Sequence, residues 1–281
     1  MRRFPIVGVL LLIPAMMLPL MVGCDKGKDT TKSQNGGDHQ KKKDGVTVDI
    51  TAPTDAVVKG VVKYKGPAFE PELEPGIKGH KEEALCMKGT GTDTKVQKWL
   101  VGKDSGLANV VVSLEPPAGK KYKIDDKLMA PFKDKQVVLD QPFCAYHPHV
   151  TAVYGKVQPF VVKNSAKFSH NTNIKPGPKN LPKNALIEPG TSWKPLFFEA
   201  ESTPINISCE LHGFMSAKLW VFNHPYFAVT NENGEFTIAN VPSGEELVVY
   251  MWHESMDNKK EFEKHKFTNG KNTIKGMEIS K

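Results

Sequence analysis

Arginine is almost absent from this 281-residue sequence: the 38 lysine and arginine residues include only two arginines, Arg2 and Arg3. Proteins that read nucleic acid use the planar guanidinium fork of arginine to bind phosphates and guanine edges. The formal net charge of +7 therefore does not indicate a nucleic-acid partner. The sequence also lacks a glycine-rich phosphate loop and a Ser-His-Asp arrangement, so we do not expect an enzyme.

An amphipathic helical stripe is also missing after residue 46. Short apolar runs alternate with turn signals such as Asn233-Gly234 and Pro242-Ser243-Gly244, which is typical of a β-sandwich. Only 78–84 and 256–264 are expected to form short helices. About a dozen strands exceed what one seven-stranded sandwich needs, so we predict an all-β fold with two β-sandwiches. The predicted strands are 57–64, 108–114, 136–140, 149–154, 157–163, 193–198, 205–208, 218–222, 228–230, 234–238, 246–252 and 272–279.

The first 24 residues have the pattern of an export signal. A basic start, Met1–Arg3, precedes an apolar run over 4–23, which predicts a secretory signal or, alternatively, an uncleaved membrane anchor. Val-Gly-Cys at its end resembles the lipobox of bacterial lipoproteins, which implies a lipid-modified Cys24. Residues 25–45 contain no large apolar side chain, so we expect a solvated tether. These features predict an exported protein, lipid-anchored to a bacterial membrane on its periplasmic side or at the cell surface.

The last 60 residues indicate how residues 46–281 are divided into domains. The Asn-Gly hairpin and the Pro-Ser-Gly turn within 226–250 resemble the second half of a carboxypeptidase-regulatory-like, transthyretin-like sandwich. Residues 60–64 and 107–114 resemble the first half of the same kind of sandwich. The resemblance implies one domain formed by 46–125 plus 223–281, with a second domain, 126–222, inserted at a loop.

The inserted segment contains a set of soft donor side chains. Cys209, His212 and Met215 are each separated by two residues, and His170 lies upstream. Thiolate, imidazole and thioether donors suit copper. This pattern resembles the cupredoxins, with a Cys-x-x-His-x-x-Met loop of the amicyanin type. The resemblance implies a cupredoxin-like Greek-key domain with one type 1 copper site, in which His170, Cys209 and His212 are equatorial ligands and Met215 is the weak axial ligand.

The same resemblance implies roles for the neighbours of the ligands. Asn171 is expected to join the two ligand loops by hydrogen bonds. The residue after the cysteine is usually Ser or Thr in that family and here is Glu210, so this connection must be remade or lost. Cupredoxins pass electrons through the exposed edge of the loop histidine, here His212, and Gly213 and Phe214 would form the apolar rim around it.

The four cysteines can then be assigned. Cys24 would carry lipid and Cys209 copper, which leaves Cys86 and Cys144 in an oxidising compartment, where we predict a disulfide between them. Alternatively, Cys209 is a disulfide partner beside a surface His212, or the ligands hold zinc, for which methionine is a poor ligand.

A second donor-rich stretch surrounds Cys144. His147 and His149 follow it closely and could form a second metal site with it. A proline separates the two histidines, however, and is expected to point them apart.

Three functions follow from these features. We expect a membrane-tethered electron carrier that meets redox proteins transiently. The alternatives are a copper-handling lipoprotein, for sequestration or delivery, and a cell-surface binding module with a structural metal.

Overall fold

The structure, a computed structural model, describes residues 47–194 and 196–281. The predicted signal 1–24, including Cys24, and the predicted tether 25–45 lie outside these ranges. Within them, no helix combines the length and the apolar character that crossing a bilayer requires.

Strands dominate the described residues, which confirms the all-β fold class. Two α-helices occur there, α1 (Glu83–Cys86) and α2 (Asp126–Lys133), with short 3-10 helices at Pro75–Ile77, Gly91–Thr94 and Lys103–Ser105. The strands are β1 (Val48–Ile50), β2 (Ala56–Lys65), β3 (Val111–Glu115), β4 (Lys120–Tyr122), β5 (Val137–Asp140), β6 (Val150–Tyr154), β7 (Phe160–Lys163), β8 (His170–Lys175), β9 (Lys183–Ile187), β10 (Ile205–Ser208), β11 (Ser216–Phe222), β12 (Phe227–Val229), β13 (Glu235–Val241), β14 (Glu246–Trp252), β15 (Lys260–Lys266) and β16 (Gly270–Ser280).

The larger sheets fall into two groups by position in the chain. A four-stranded sheet of order β12-β3-β14-β15 and a three-stranded sheet of order β13-β2-β16 use strands from both ends of the described chain. A five-stranded sheet of order β6-β11-β10-β8-β9 and the pair β5-β7 use strands from its middle. Strands β1 and β4 form a separate parallel pair.

Each group of sheets encloses its own apolar core. Val58, Val112 and Phe236 belong to the first core, whereas Phe160 and Ile207 belong to the second. Successive side chains of a strand point to opposite faces of the sheet, so every second residue of these strands faces a core. Since the described residues form one compact unit, the division into domains at 125/126 and 222/223 stays a prediction, as does the transthyretin-like resemblance.

A smaller cluster joins the two groups of sheets. It contains Trp220 and Phe222 of β11 and Trp252 of β14, with Val111 and Val150. The rings of Trp220 and Trp252 meet edge to face, with 5.6 Å between their centroids. This geometry favours aromatic attraction, so the junction is a packed contact.

Several predicted elements are wrong in detail. The described part of 193–198 forms only an isolated bridge, from Leu196 to Phe160. The helix predicted at 256–264 is absent, and strand β15 covers the second half of that range. Only the end of 78–84 is helical, where α1 begins, and α2 was not predicted.

Candidate metal centre

Two neighbouring strands bring the upstream and downstream donors together. His170 is the first residue of β8, a strand that was not predicted, and β8 pairs antiparallel with β10. Strand β10 ends at Ser208, opposite Asn173, so Cys209 follows at the end of the sheet where β8 begins. The 209–215 loop then turns back into β11.

His170, Cys209 and His212 form one buried donor group. The sulfur of Cys209 lies 3.8 Å from Nδ1 of His170 and 3.7 Å from Nδ1 of His212. All three donor atoms lie within 4.8 Å of one another, and each residue is at most 1% exposed. Within the part of the chain that the structure describes, Cys209 is a free thiol and His212 is buried, so the alternatives of a Cys209 disulfide and a surface His212 are wrong.

These separations fit a metal ion between the donors. Zinc, for example, lies about 2.3 Å from a cysteine sulfur and about 2.0–2.1 Å from a histidine nitrogen, so a sulfur and a nitrogen donor about 120° apart around such an ion are about 3.8 Å from each other. A trigonal His2Cys set with a weak axial methionine is the donor pattern of blue-copper sites. His170, Cys209 and His212 would therefore hold copper through one sulfur and two Nδ1 atoms.

Burial shifts the pKa values of all three donor groups. Desolvation, together with the charge of His212, lowers the pKa of His170 to about 4. Desolvation also lowers the pKa of His212, although Glu82 opposes this shift. Both imidazoles are thus neutral and keep a lone pair for coordination at neutral pH. Burial raises the pKa of the Cys209 thiol, so metal binding must displace its proton.

Asn171 joins the two ligand loops, and Glu210 takes part in the connection. The Asn171 side-chain oxygen accepts hydrogen bonds from the backbone N–H groups of Glu210, at 2.6 Å, and Leu211, at 3.1 Å. Its amide nitrogen donates to the Glu210 carboxylate at 3.3 Å, and Asn173 donates to the same carboxylate at 2.6 Å. The link that Ser or Thr would make is remade through backbone groups and a carboxylate.

Met215 closes the ligand loop. It is 2% exposed and packs in the second core with Cys209. Its backbone N–H donates to the His212 carbonyl at 2.8 Å, and its carbonyl accepts from the Cys209 N–H at 3.3 Å. These bonds fix the tight loop, while the role of Met215 as axial ligand stays a prediction.

The exposed histidine edge expected from the resemblance is wrong for this chain. His212 is 0% exposed because residues 75–86, here called the cover segment, lie against it. The ring centroids of His80 and His212 are 4.7 Å apart, and Nε2 of His80 lies 3.1 Å from the Leu211 carbonyl oxygen. Oε2 of Glu82 lies 2.7 Å from Nε2 of His212.

The predicted rim is only partly open for the same reason. Gly213 is exposed, but Phe214 is half-buried against the cover segment. A Cβ atom on Gly76 would lie 2.4–2.7 Å from atoms of the Phe214 side chain, so only glycine allows this approach. Neither His80 nor Glu82 was predicted to belong to the site.

The predicted disulfide is present and anchors the cover segment. Cys86 at the end of α1 is bonded to Cys144, and both are buried in the second core. The sulfur of Cys86 lies within 4.8 Å of ring nitrogens of His80 and His212. The predicted pairing indicated that residues near Cys86 lie against the start of the inserted segment, but not that they reach the 209–215 loop.

His147 and His149 lie apart from this centre. Nε2 of His147 is 2.7 Å from Oδ1 of Asp93, and Nε2 of His149 is 2.9 Å from Oε2 of Glu254. Within residues 47–194 and 196–281, neither histidine belongs to a group of three donors close enough to share a metal.

Comparison with known proteins gives structural neighbours only, since no family model and no curated protein sequence matches. A copper-containing nitrite reductase from Thermus scotoductus SA-01 is 14% identical with a TM-score of 0.28, and the match covers 31% of this chain and 22% of that one. An oxidized mutant of amicyanin is 18% identical over 39% of this chain and 92% of its own, with a TM-score of 0.28.

Amicyanin from Paracoccus versutus is 21% identical, with a TM-score of 0.27, over 34% of this chain and 88% of its own. Because all three TM-scores are low, the donor geometry alone carries the functional proposal.

Proposed function

We propose that this protein is an exported, membrane-tethered type 1 copper protein that transfers single electrons between redox partners. The observation that supports this function is the buried group of His170, Cys209 and His212, with sulfur-to-nitrogen distances of 3.7 and 3.8 Å. A copper ion held there would supply one-electron chemistry.

The chain's own residues would keep that site rigid and dry. Asn171 fixes both ligand loops through the backbone N–H groups of Glu210 and Leu211. Phe168 packs against the rings of His170 and His212, at centroid distances of 4.9 and 5.6 Å, and helps to exclude water. Preformed donors need little rearrangement when the charge of the site changes, which favours electron transfer over substrate activation.

The location of the protein completes the proposal. A lipid on Cys24 and the spacer over 25–45 would hold the folded body near a membrane. Redox partners would meet it weakly, through a small contact area, as transient electron-transfer complexes do.

The direct test is to add Cu(II) to the metal-free protein and record the visible spectrum. We expect one equivalent of copper to produce the intense thiolate-to-copper band that makes such sites blue. Cys209→Ala must abolish the band. Cys86 and Cys144, which are bonded to each other, must not contribute to the band. A band that survives Cys209→Ala, or no band in the loaded wild type, contradicts the proposal.

Copper handling is a second candidate function, favoured by the complete burial of His212. A covered ligand slows electron exchange, which suits sequestration or delivery of copper better than electron transfer. Slow electron self-exchange together with ready transfer of copper to an acceptor protein would select this alternative.

A further inference from the structure

The cover segment places one carboxylate directly on a candidate copper ligand. Oε2 of Glu82 lies 2.7 Å from Nε2 of His212, the ring nitrogen opposite the one that faces Cys209. This ion-pair contact does not meet the geometry of a hydrogen bond, and Nε2 of His212 has no hydrogen-bond partner among the described residues. A fully buried ring nitrogen with a single carboxylate neighbour depends on that neighbour for its orientation.

The position of Glu82 is set by its own segment. Its backbone N–H donates to Nδ1 of His80 at 3.2 Å, and the next residue begins α1, which ends at the disulfide-bonded Cys86. The Glu82 side chain is 27% exposed, whereas that of His212 is 0% exposed. The carboxylate thus reaches inward from the surface to a ligand that water does not contact.

From this geometry we propose that Glu82 is a positioning residue of the copper centre. By holding Nε2 of His212, it would leave Nδ1 as the donor atom and raise the basicity of the imidazole. A negative charge this close, in a site of low dielectric constant, stabilises Cu(II) more than Cu(I). Glu82 would therefore strengthen Cu(II) binding and lower the reduction potential.

This inference rests on the proposed function, and it concerns a residue outside the Cys-x-x-His-x-x-Met loop. The ring of His80 also packs against that of His212, and the positive charge of the adjacent Lys81 opposes the charge of Glu82. The net charge that the cover segment places near His212 therefore depends on the carboxylate of Glu82.

The test compares Glu82→Gln with wild type, using Glu83→Gln as the matched control. Glutamine keeps the size of the side chain and removes the charge. Glu83 is the adjacent glutamate and accepts a hydrogen bond from the Gly79 N–H at 2.7 Å, away from the ligands. Copper affinity is measured by competition with a chelator, and the midpoint potential by spectroelectrochemistry of the blue band.

We expect Glu82→Gln to lose about 10–100-fold in Cu(II) affinity. Its midpoint potential should rise by about 59 mV for each tenfold loss that is specific to Cu(II). Glu83→Gln should match wild type in both measurements. Equal affinity and potential in Glu82→Gln and wild type would overturn the role of Glu82, as would an equal shift in Glu83→Gln. No blue band in the wild type would instead contradict the proposed function, and this inference with it.

Discussion

At the scale of single residues, Asn171 connects the two loops that carry the ligands. Its side-chain oxygen accepts hydrogen bonds from two backbone N–H groups, and both bonds would be lost without it. Asn171→Ala should therefore lower the free energy of unfolding of the metal-free protein by about 2 kcal/mol. Urea denaturation followed by fluorescence measures this change.

Asn173→Ala is the matched control on the same strand. Asn173 donates only to the exposed end of Glu210, so we expect a loss below about 0.5 kcal/mol. Equal losses in the two variants would show that Asn171 has no special part in joining the loops.

Met215 allows a second test at this scale. Met215→Leu conserves volume, so the free energy of unfolding should change by less than about 1.5 kcal/mol. If the thioether is the axial ligand, the blue band should remain and the reduction potential should rise, because a weak donor to Cu(II) has been removed. Met277→Leu, at a methionine buried in the first core, is the control and should leave the potential unchanged. An unchanged reduction potential in Met215→Leu would show that Met215 is not a ligand.

The grouping of the three donors was predictable from the sequence because two of them are close together in the chain. Cys209 and His212 are three residues apart, and the resemblance supplied His170. Glu82 was not predictable in this way, since it lies far upstream of His212 in the chain and no periodic pattern surrounds it. The disulfide expected between Cys86 and Cys144 linked this part of the chain to the start of the inserted segment, but it did not indicate that Glu82 would reach His212.

At the scale of elements, the cover segment depends on the disulfide that ends it. The bond closes a loop with a sequence separation of 58. Replacing Cys86 and Cys144 together by alanine should lower the free energy of unfolding by about 2–4 kcal/mol. It should also speed the loss of copper to a chelator, because the segment over His212 is released at one end.

Stopped-flow mixing of copper-loaded protein with excess chelator measures the second effect. Loss of stability with no change in the rate of copper loss would show that the cover segment stays closed without the disulfide.

Strand β15 shows why some elements escaped prediction. It is an edge strand of the four-stranded sheet, and five of its seven residues are lysine or glutamate. Charged edge strands avoid unwanted pairing but lose the apolar alternation that marks a strand in a sequence. Helix α2 was missed because Pro131 lies within it, although the Asp125 side chain caps it by accepting from the Leu128 N–H at 3.0 Å.

At the scale of the whole molecule, Glu115 ties together three distant parts of the chain. Its carboxylate contacts Nζ of Lys259 at 2.6 Å and Nε2 of His224 at 3.3 Å, just where the chain leaves β11. Burial opposes ionisation, but His224 and Lys259 together hold the pKa of Glu115 at about 2, below its ordinary value of 4.5.

This pKa predicts how stability depends on acid. A carboxyl group with a depressed pKa in the folded state stabilises the fold above its unfolded pKa. That contribution, on the order of 3 kcal/mol, should be lost as the pH falls from about 4.5 to about 2. Urea unfolding at a series of pH values should show a smaller decline over this window in Glu115→Gln than in wild type. Parallel declines would contradict the assignment.

The most direct test of the electron-transfer proposal is the visible spectrum of protein that carries one Cu(II), recorded through one reduction and one reoxidation. We predict that the blue band disappears after one electron equivalent and returns fully on reoxidation, and that Cys209→Ala never shows it. A loaded wild-type protein without the band, or one that releases its copper on reduction, would contradict an electron-carrying site at His170, Cys209 and His212.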